Sequence, residues 1–81
     1  MKETPLTLYV VDDDEALRRS MLMLFFPQGL AVQCFESGEA FLEAVRSDQA
    51  GVVILDLRMA GMSGLAVLEQ LTQRHSPLVT L

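Results

Sequence analysis

Asp12 and Asp13 follow an apolar run, Leu6 to Val11, and Asp56 follows another, Val52 to Leu55. If the two runs are neighbouring strands pointing the same way, three carboxylates meet at their ends. Like charges so close repel, and a divalent cation relieves the repulsion while leaving coordination positions open to water or a phosphate oxygen. Mg2+ suits such a set, because it takes oxygen ligands octahedrally, commonly one or two carboxylates with waters and a phosphate oxygen. A carboxylate is also a nucleophile toward phosphorus and forms an acyl phosphate. The plainer reading is that Asp13, Asp14 and Glu15 favour a helix N-terminus by charge and capping, and that Asp56 is an ordinary loop residue. Each half of the pattern admits that reading alone. Two acidic strand ends in this order fit it much less well.

The elements that would carry these residues follow from periodicity. Leu6 to Val11 is apolar except at Thr7 and reads as a strand buried on both faces. From Asp14 to Phe26, Leu17, Met21, Leu24 and Phe25 recur at helical spacing, with Arg18 and Arg19 off the stripe. Asp14 is the expected N-cap, and Pro27-Gln28-Gly29 the expected stop. Ala31 to Phe35 reads as a strand, and Ser37 caps a helix carrying Phe41, Leu42 and Val45, which Gly51 separates from the next strand. Val52 to Leu55 is β-branched and apolar and belongs at the centre of a parallel sheet. After the glycine-bearing loop Leu57 to Gly64, Leu65, Leu68 and Leu71 mark a helix reaching about Arg74, which Ser76-Pro77 closes. Leu78 to Leu81 opens a fourth strand. Alternating strands and helices with right-handed crossovers make a doubly wound parallel α/β sheet, whose sites lie at the carboxyl ends of the strands.

Composition narrows the functions. The 81 residues fit one unit, 1–81, and a domain of that size buries only about 60 to 65% of its unfolded surface. A net charge of -5, with six Lys and Arg and no basic run, argues against nucleic-acid binding by this segment. The chain is 51% hydrophobic, yet no stretch approaches the roughly 18 apolar residues of a membrane span. Met1-Lys2-Glu3-Thr4-Pro5 is unlike a secretory leader, so a cytoplasmic location is expected. Cys34, the single cysteine, suits a reducing compartment and is expected as a small core residue.

Tyr9-Val10-Val11-Asp12-Asp13-Asp14, Leu55-Asp56-Leu57-Arg58-Met59 and Gly61-Met62-Ser63-Gly64 together resemble the receiver domain of two-component response regulators. The likeness covers the whole chain. Ser37-Gly38-Glu39-Ala40-Phe41-Leu42 is similar to the second-helix opening of the FixJ-like subfamily, whose full-length members usually carry a C-terminal helix-turn-helix DNA-binding domain. The resemblance implies a flavodoxin-like fold with strand order 2-1-3-4-5. It implies Asp56 as phosphoacceptor from the phosphohistidine of a sensor histidine kinase. Mg2+ would be bound through Asp13 and Asp56, through the backbone carbonyl of Arg58, and through water by Asp12. Such a module assists its own phosphoryl transfer and is not an enzyme in the ordinary sense.

Two departures stand out. Ala60 occupies a position where the family usually has proline. Leu81 falls just before the family's switch threonine or serine, and Thr80 reads as an ordinary strand residue. The phosphate-pairing lysine of the fifth strand and the last two helices are also missing, and neither Arg58 nor Lys2 replaces that lysine. The fold is therefore expected to be incomplete, broken off at the start of the fourth strand, with an impaired switch.

An unpaired fourth-strand edge and uncovered apolar faces imply a homo-oligomer or a segment-exchanged dimer. That gives a second class of function, a non-catalytic fragment that assembles. A third class, an aspartate-nucleophile phosphatase, calls for an acidic residue where Arg58 stands. Met21, Leu24 and Phe25 are expected in the core, with Met23 and Phe26 extending the arc toward a dimer contact. His75 is expected as an exposed residue at a helix end and not as a metal ligand.

Overall fold

The structure, a computed structural model, describes residues 7–81. Leu6, the expected first residue of the opening strand, and Lys2 lie outside the described residues. The elements run β1 (Thr7–Val11), α1 (Glu15–Phe25), a 3-10 turn (Phe26–Gln28), β2 (Ala31–Phe35), α2 (Gly38–Ala44), β3 (Val52–Leu55), α3 (Gly64–Gln73) and β4 (Val79–Thr80). The four strands form one parallel sheet in the order β2-β1-β3-β4. The expected doubly wound parallel α/β architecture is thus present over the described residues, with the strand order 2-1-3-4.

Register sets up the site. Val11 pairs with both Phe35 and Leu55, so β1, β2 and β3 end level with one another. The ladder continues one residue further, because the Asp12 N–H donates to the Phe35 carbonyl and the Asp56 N–H to the Val11 carbonyl. Asp12 and Asp56 therefore leave the sheet side by side.

The main core lies on one face of the sheet. Tyr9, Val11, Val53 and Leu55 pack there against Phe41, Leu42 and Val45 of the α2 segment, Val67 and Leu71 of α3, and Met59. Phe41 is fully buried, with its ring 5.5 Å from that of Phe35 and 5.8 Å from that of Tyr9. Burying such a side chain is worth about 1.5 to 3 kcal/mol.

α1 covers the opposite face. Cys34 is the register partner of Val10 and so points to the same side, and its thiol approaches the Arg18 carbonyl of α1. Cys34 is half-buried instead of being a full core residue, and that burial pushes its thiol pKa up, with the charge of Arg18 partly countering it. No residue of α1 is fully buried.

Several expectations about this helix and its counterparts need correction. Arg18 is half-buried, on the sheet side with Met21 and Phe25, while Leu24 is 56% exposed. The helix is rotated away from the Leu24 flank because Arg18 reaches inward to the chain after β1. The expected stop at Pro27-Gln28-Gly29 does hold: α1 ends at Phe25, Phe26–Gln28 form a 3-10 turn, and the chain turns at Gly29, with φ 82°. α2 ends at Ala44, where Val45 turns extended, well before Gly51. In α3 the buried line is Gly64, Val67 and Leu71, and Leu65 is 61% exposed. His75 is exposed and caps α3 with its backbone: it adopts φ 53°, its N–H donates to the Thr72 carbonyl, and the Ser76 N–H donates to the Leu71 carbonyl. That pair of bonds is a Schellman motif with a histidine where glycine is usual.

Candidate metal centre at the strand ends

The acidic run after β1 divides its labour. Asp14 is the N-cap of α1, in extended conformation, and its carboxylate accepts from the N–H groups of Ala16 and Leu17. The capping reading is therefore right for Asp14. It holds for Glu15 too, which lies in the first turn of α1, whereas Asp12 and Asp13 belong to the carboxylate cluster with Asp56. Asp12 is buried, Asp13 exposed and Asp56 half-buried, and one carboxylate oxygen from each can be chosen so that all three lie within 4.8 Å of one another.

Each carboxylate is held by a backbone N–H. Asp12 Oδ1 accepts from Asp14 at 2.9 Å, and Asp56 Oδ1 accepts from Arg58 at 3.0 Å. Asp13 Oδ2 accepts from Ala60 at 3.2 Å, across the site. In every case the second oxygen of the carboxylate stays out of these bonds. The loop after β3 is tied down at its far end as well, where the Gly64 N–H donates to the Leu57 carbonyl. Gly64 comes so close to the Asp56 carbonyl and Leu57 Cα that a Cβ at this position would collide with backbone. Glycine is what lets α3 start directly beneath the site. Ser63 caps it, its hydroxyl accepting from the Ala66 N–H.

Arg18 braces the other side. Its guanidinium donates to the Asp12 backbone carbonyl at 2.7 Å, which pins the chain where it leaves β1. Arg18 and Ala60 are the contributors that sequence reasoning missed. Arg18 had a signal, one helical turn after the N-cap, but its place on the sheet side depends on the helix rotation. The Ala60 contact is a backbone N–H from a distant loop and leaves no mark in residue type.

The donor set fits a hard divalent cation. It offers only oxygens, and the two ion pairs among the described residues, Arg19–Glu15 and Arg46–Asp48, both lie elsewhere. Arg18 is directed at a carbonyl and not at the carboxylates. Among the described residues no cation pairs with these three clustered carboxylates, and an ion bound through oxygen would supply the missing charge. The Arg58 carbonyl, expected as a further ligand, accepts no hydrogen bond among the described residues. Asp12, Asp13 and Asp56 are brought together as expected, with Arg58 beside Asp56.

Comparison with known proteins identifies the family. The chain is 42% identical over 71 residues to the DNA-binding transcriptional regulator NtrC of Escherichia coli K12, covering 88% of this chain and 15% of that protein. It is 36% identical over 74 residues to the transcriptional regulatory protein FixJ of Bradyrhizobium diazoefficiens, covering 91% of this chain and 36% of that one. The chain therefore spans well under half the length of either relative. Among solved structures, it superposes on the response regulator TrrA of Thermotoga maritima in complex with Mg(2+)-BeF with a TM-score of 0.82 and 28% identity, over 93% of this chain and 65% of that one. Residues 8–81 match the response regulator receiver domain, and the chain belongs to that family.

Proposed function

We propose that the chain is a phosphoryl-accepting module in which Asp56 takes the phosphoryl group from a phosphohistidine of a sensor histidine kinase. Mg2+ would be held by Asp13 and Asp56, by the Arg58 carbonyl, and through water by Asp12. The observation that carries this reading is the meeting of three carboxylates at the ends of β1 and β3 with no cation of the described residues paired to them. When bound, Mg2+ would offset the negative charge that gathers where phosphoryl oxygens approach carboxylates.

The chain's own groups do the rest. The Arg58 N–H occupies Asp56 Oδ1, leaving Oδ2 as the nucleophile. That oxygen attacks phosphorus, the P–O bond forms as the P–N bond to the imidazole breaks, and the released nitrogen takes up a proton. Arg18 and the Asp14 N–H keep Asp12 from swinging away, so the carboxylates are oriented before the donor arrives.

On this reading the module is one unit, 1–81, acts in the cytoplasm and does not itself contact DNA, which would be bound through a C-terminal domain where the full-length protein carries one. No helix of the described residues is long and apolar enough to cross a membrane. Incubation with acetyl phosphate should add one phosphoryl mass in the presence of Mg2+, and none with a chelator or in Asp56→Asn. A gain that survives Asp56→Asn would rule the assignment out.

A second reading, self-association, draws on exposed apolar surface. Leu22, Met23, Phe26 and Pro27 line an open groove of about 420 Å³ on α1, and Val79 on β4 is 58% exposed. Under it the chain pairs with a second copy, as a homo-oligomer or a segment-exchanged dimer. Sedimentation over a concentration series should show a dimer, and a compact monomer throughout would count against it.

A further inference from the structure

β2 is an edge strand: among the described residues only β1 pairs with it. The Phe35 carbonyl accepts from the Asp12 N–H, so Phe35 and Gln33 turn their backbone groups toward β1, and Val32 and Cys34 turn theirs outward. Edges that stay unpaired are usually blunted by charge or proline. This one is bare. From Ser20 to Phe35 the chain holds no charged residue, although 21% of its residues are charged, and β2 contains no proline.

The surface beside this edge is apolar. Leu22, Met23, Leu24 and Phe26 make up half of the exposed large hydrophobic residues among those described, so apolar exposure is concentrated here. Met21 and Phe25 lie on the sheet side of α1, and the residue after each is turned by about 100° around the helix. With a right-handed crossover from β1 through α1 to β2, that turn carries Leu22 and Phe26 to the flank above β2.

We propose that β2 and the flank of α1 above it form a two-fold interface with a second copy of this chain, in which the two β2 edges pair antiparallel about Gln33. The proposal rests on the self-association reading and assigns its surface. Val32 exchanges both backbone hydrogen bonds with Cys34 of the second copy, Cys34 does so with Val32 of that copy, and the two Gln33 residues meet on the axis. The residues with outward groups stand symmetrically about Gln33, as a two-fold axis requires. α1 packs on both β1 and β2, so the two α1 helices stand two strand spacings apart, roughly 10 Å, the ordinary distance between packed helices. Leu22 and Phe26 of each copy fill that gap. An uncharged surface gives a charged partner nothing to pair with, and the same strand, reversed, satisfies every outward group of β2. Two copies, each of net charge -5, also meet here without opposing their carboxylates.

The test is sedimentation equilibrium of the whole chain over a concentration series, for wild type, Gln33→Glu, Phe26→Glu and Val79→Glu. Gln33 and Phe26 are exposed, and each of the first two variants sets like charges against each other across the axis. Each should weaken dimerisation by at least about 10-fold. Val79→Glu lies on β4, at the opposite edge of the sheet, and should stay within about 2-fold of wild type. Dimerisation that Val79→Glu abolishes, and that Gln33→Glu and Phe26→Glu leave intact, would overturn the proposal while leaving the self-association reading standing. A wild type that stays monomeric throughout would overturn both. Hydrogen exchange gives a readout that needs no substitution: the Val32 and Cys34 amide protons should exchange more slowly as concentration rises, while those of Gln33 and Phe35, already bonded to β1, hold their rates. Unchanged exchange at Val32 and Cys34 in a dimer would also overturn the proposal.

Discussion

The backbone carbonyl of Asp56 occupies the space in which a Cβ on residue 64 would stand. The residue that carries the nucleophile and the first residue of α3 are thus packed backbone to backbone. Gly64→Ala must move either the helix or the loop that holds Asp56. Such forced shifts cost typically about 1 to 3 kcal/mol. Urea unfolding should show that loss, and phosphoryl uptake should slow as Asp56 is displaced. Unchanged stability together with unchanged uptake would mean that this contact is not tight.

Arg18 offers a different probe, because it touches the site only through a carbonyl. Arg18→Met keeps much of the side chain's apolar stem and removes the charged hydrogen bond to Asp12. The expected loss is about 1.5 to 3 kcal/mol. Arg18→Lys should recover only part of it, since a flexible ammonium lacks the planar fork. Thermal unfolding of the three proteins would establish the order.

The backbone cap of α3 predicts a reversal of the usual effect of substitution to glycine. His75 holds φ 53°, where a residue with a Cβ is strained by roughly 1 to 2 kcal/mol. His75→Gly should therefore leave stability unchanged or raise it by up to about 1 kcal/mol, whereas β-branched His75→Val should lower it. Denaturant midpoints report both.

Burial raises the Tyr9 phenol above its ordinary value of 10.0, although hydrogen bonding with Thr7 and the charge of Arg46 partly counter the shift. The unfolded chain then ionises first, and the folded chain keeps the proton. Below pH 10 this group adds no pH dependence; as pH rises through the unfolded value toward the folded one, stability falls. Tyr9→Phe should lose that alkaline limb, and urea midpoints of both proteins on either side of pH 10 would display the difference.

Much of this molecule was legible from residue order. The strand runs, the caps Asp14 and Ser37 and the level ends of β1 and β3 all derive from local preference and period, and the carboxylate pattern follows from them. Helix rotation was harder to see. Leu24 and Leu65 sit at helical spacing but face outward, because Arg18 on α1 and Gly64 on α3 fix which side meets the sheet. Both constraints are contacts to backbone, and a backbone contact leaves no periodicity to read. The Asp13–Ala60 bond belongs to the same class.

The most direct test of the account is to locate the phosphoryl group. After incubation with acetyl phosphate and Mg2+, borohydride reduction converts an aspartyl phosphate to homoserine, which peptide mass spectrometry places in the chain. The account predicts homoserine at residue 56. Homoserine at Asp12 or Asp13, or none anywhere in a chain that binds Mg2+, would contradict it.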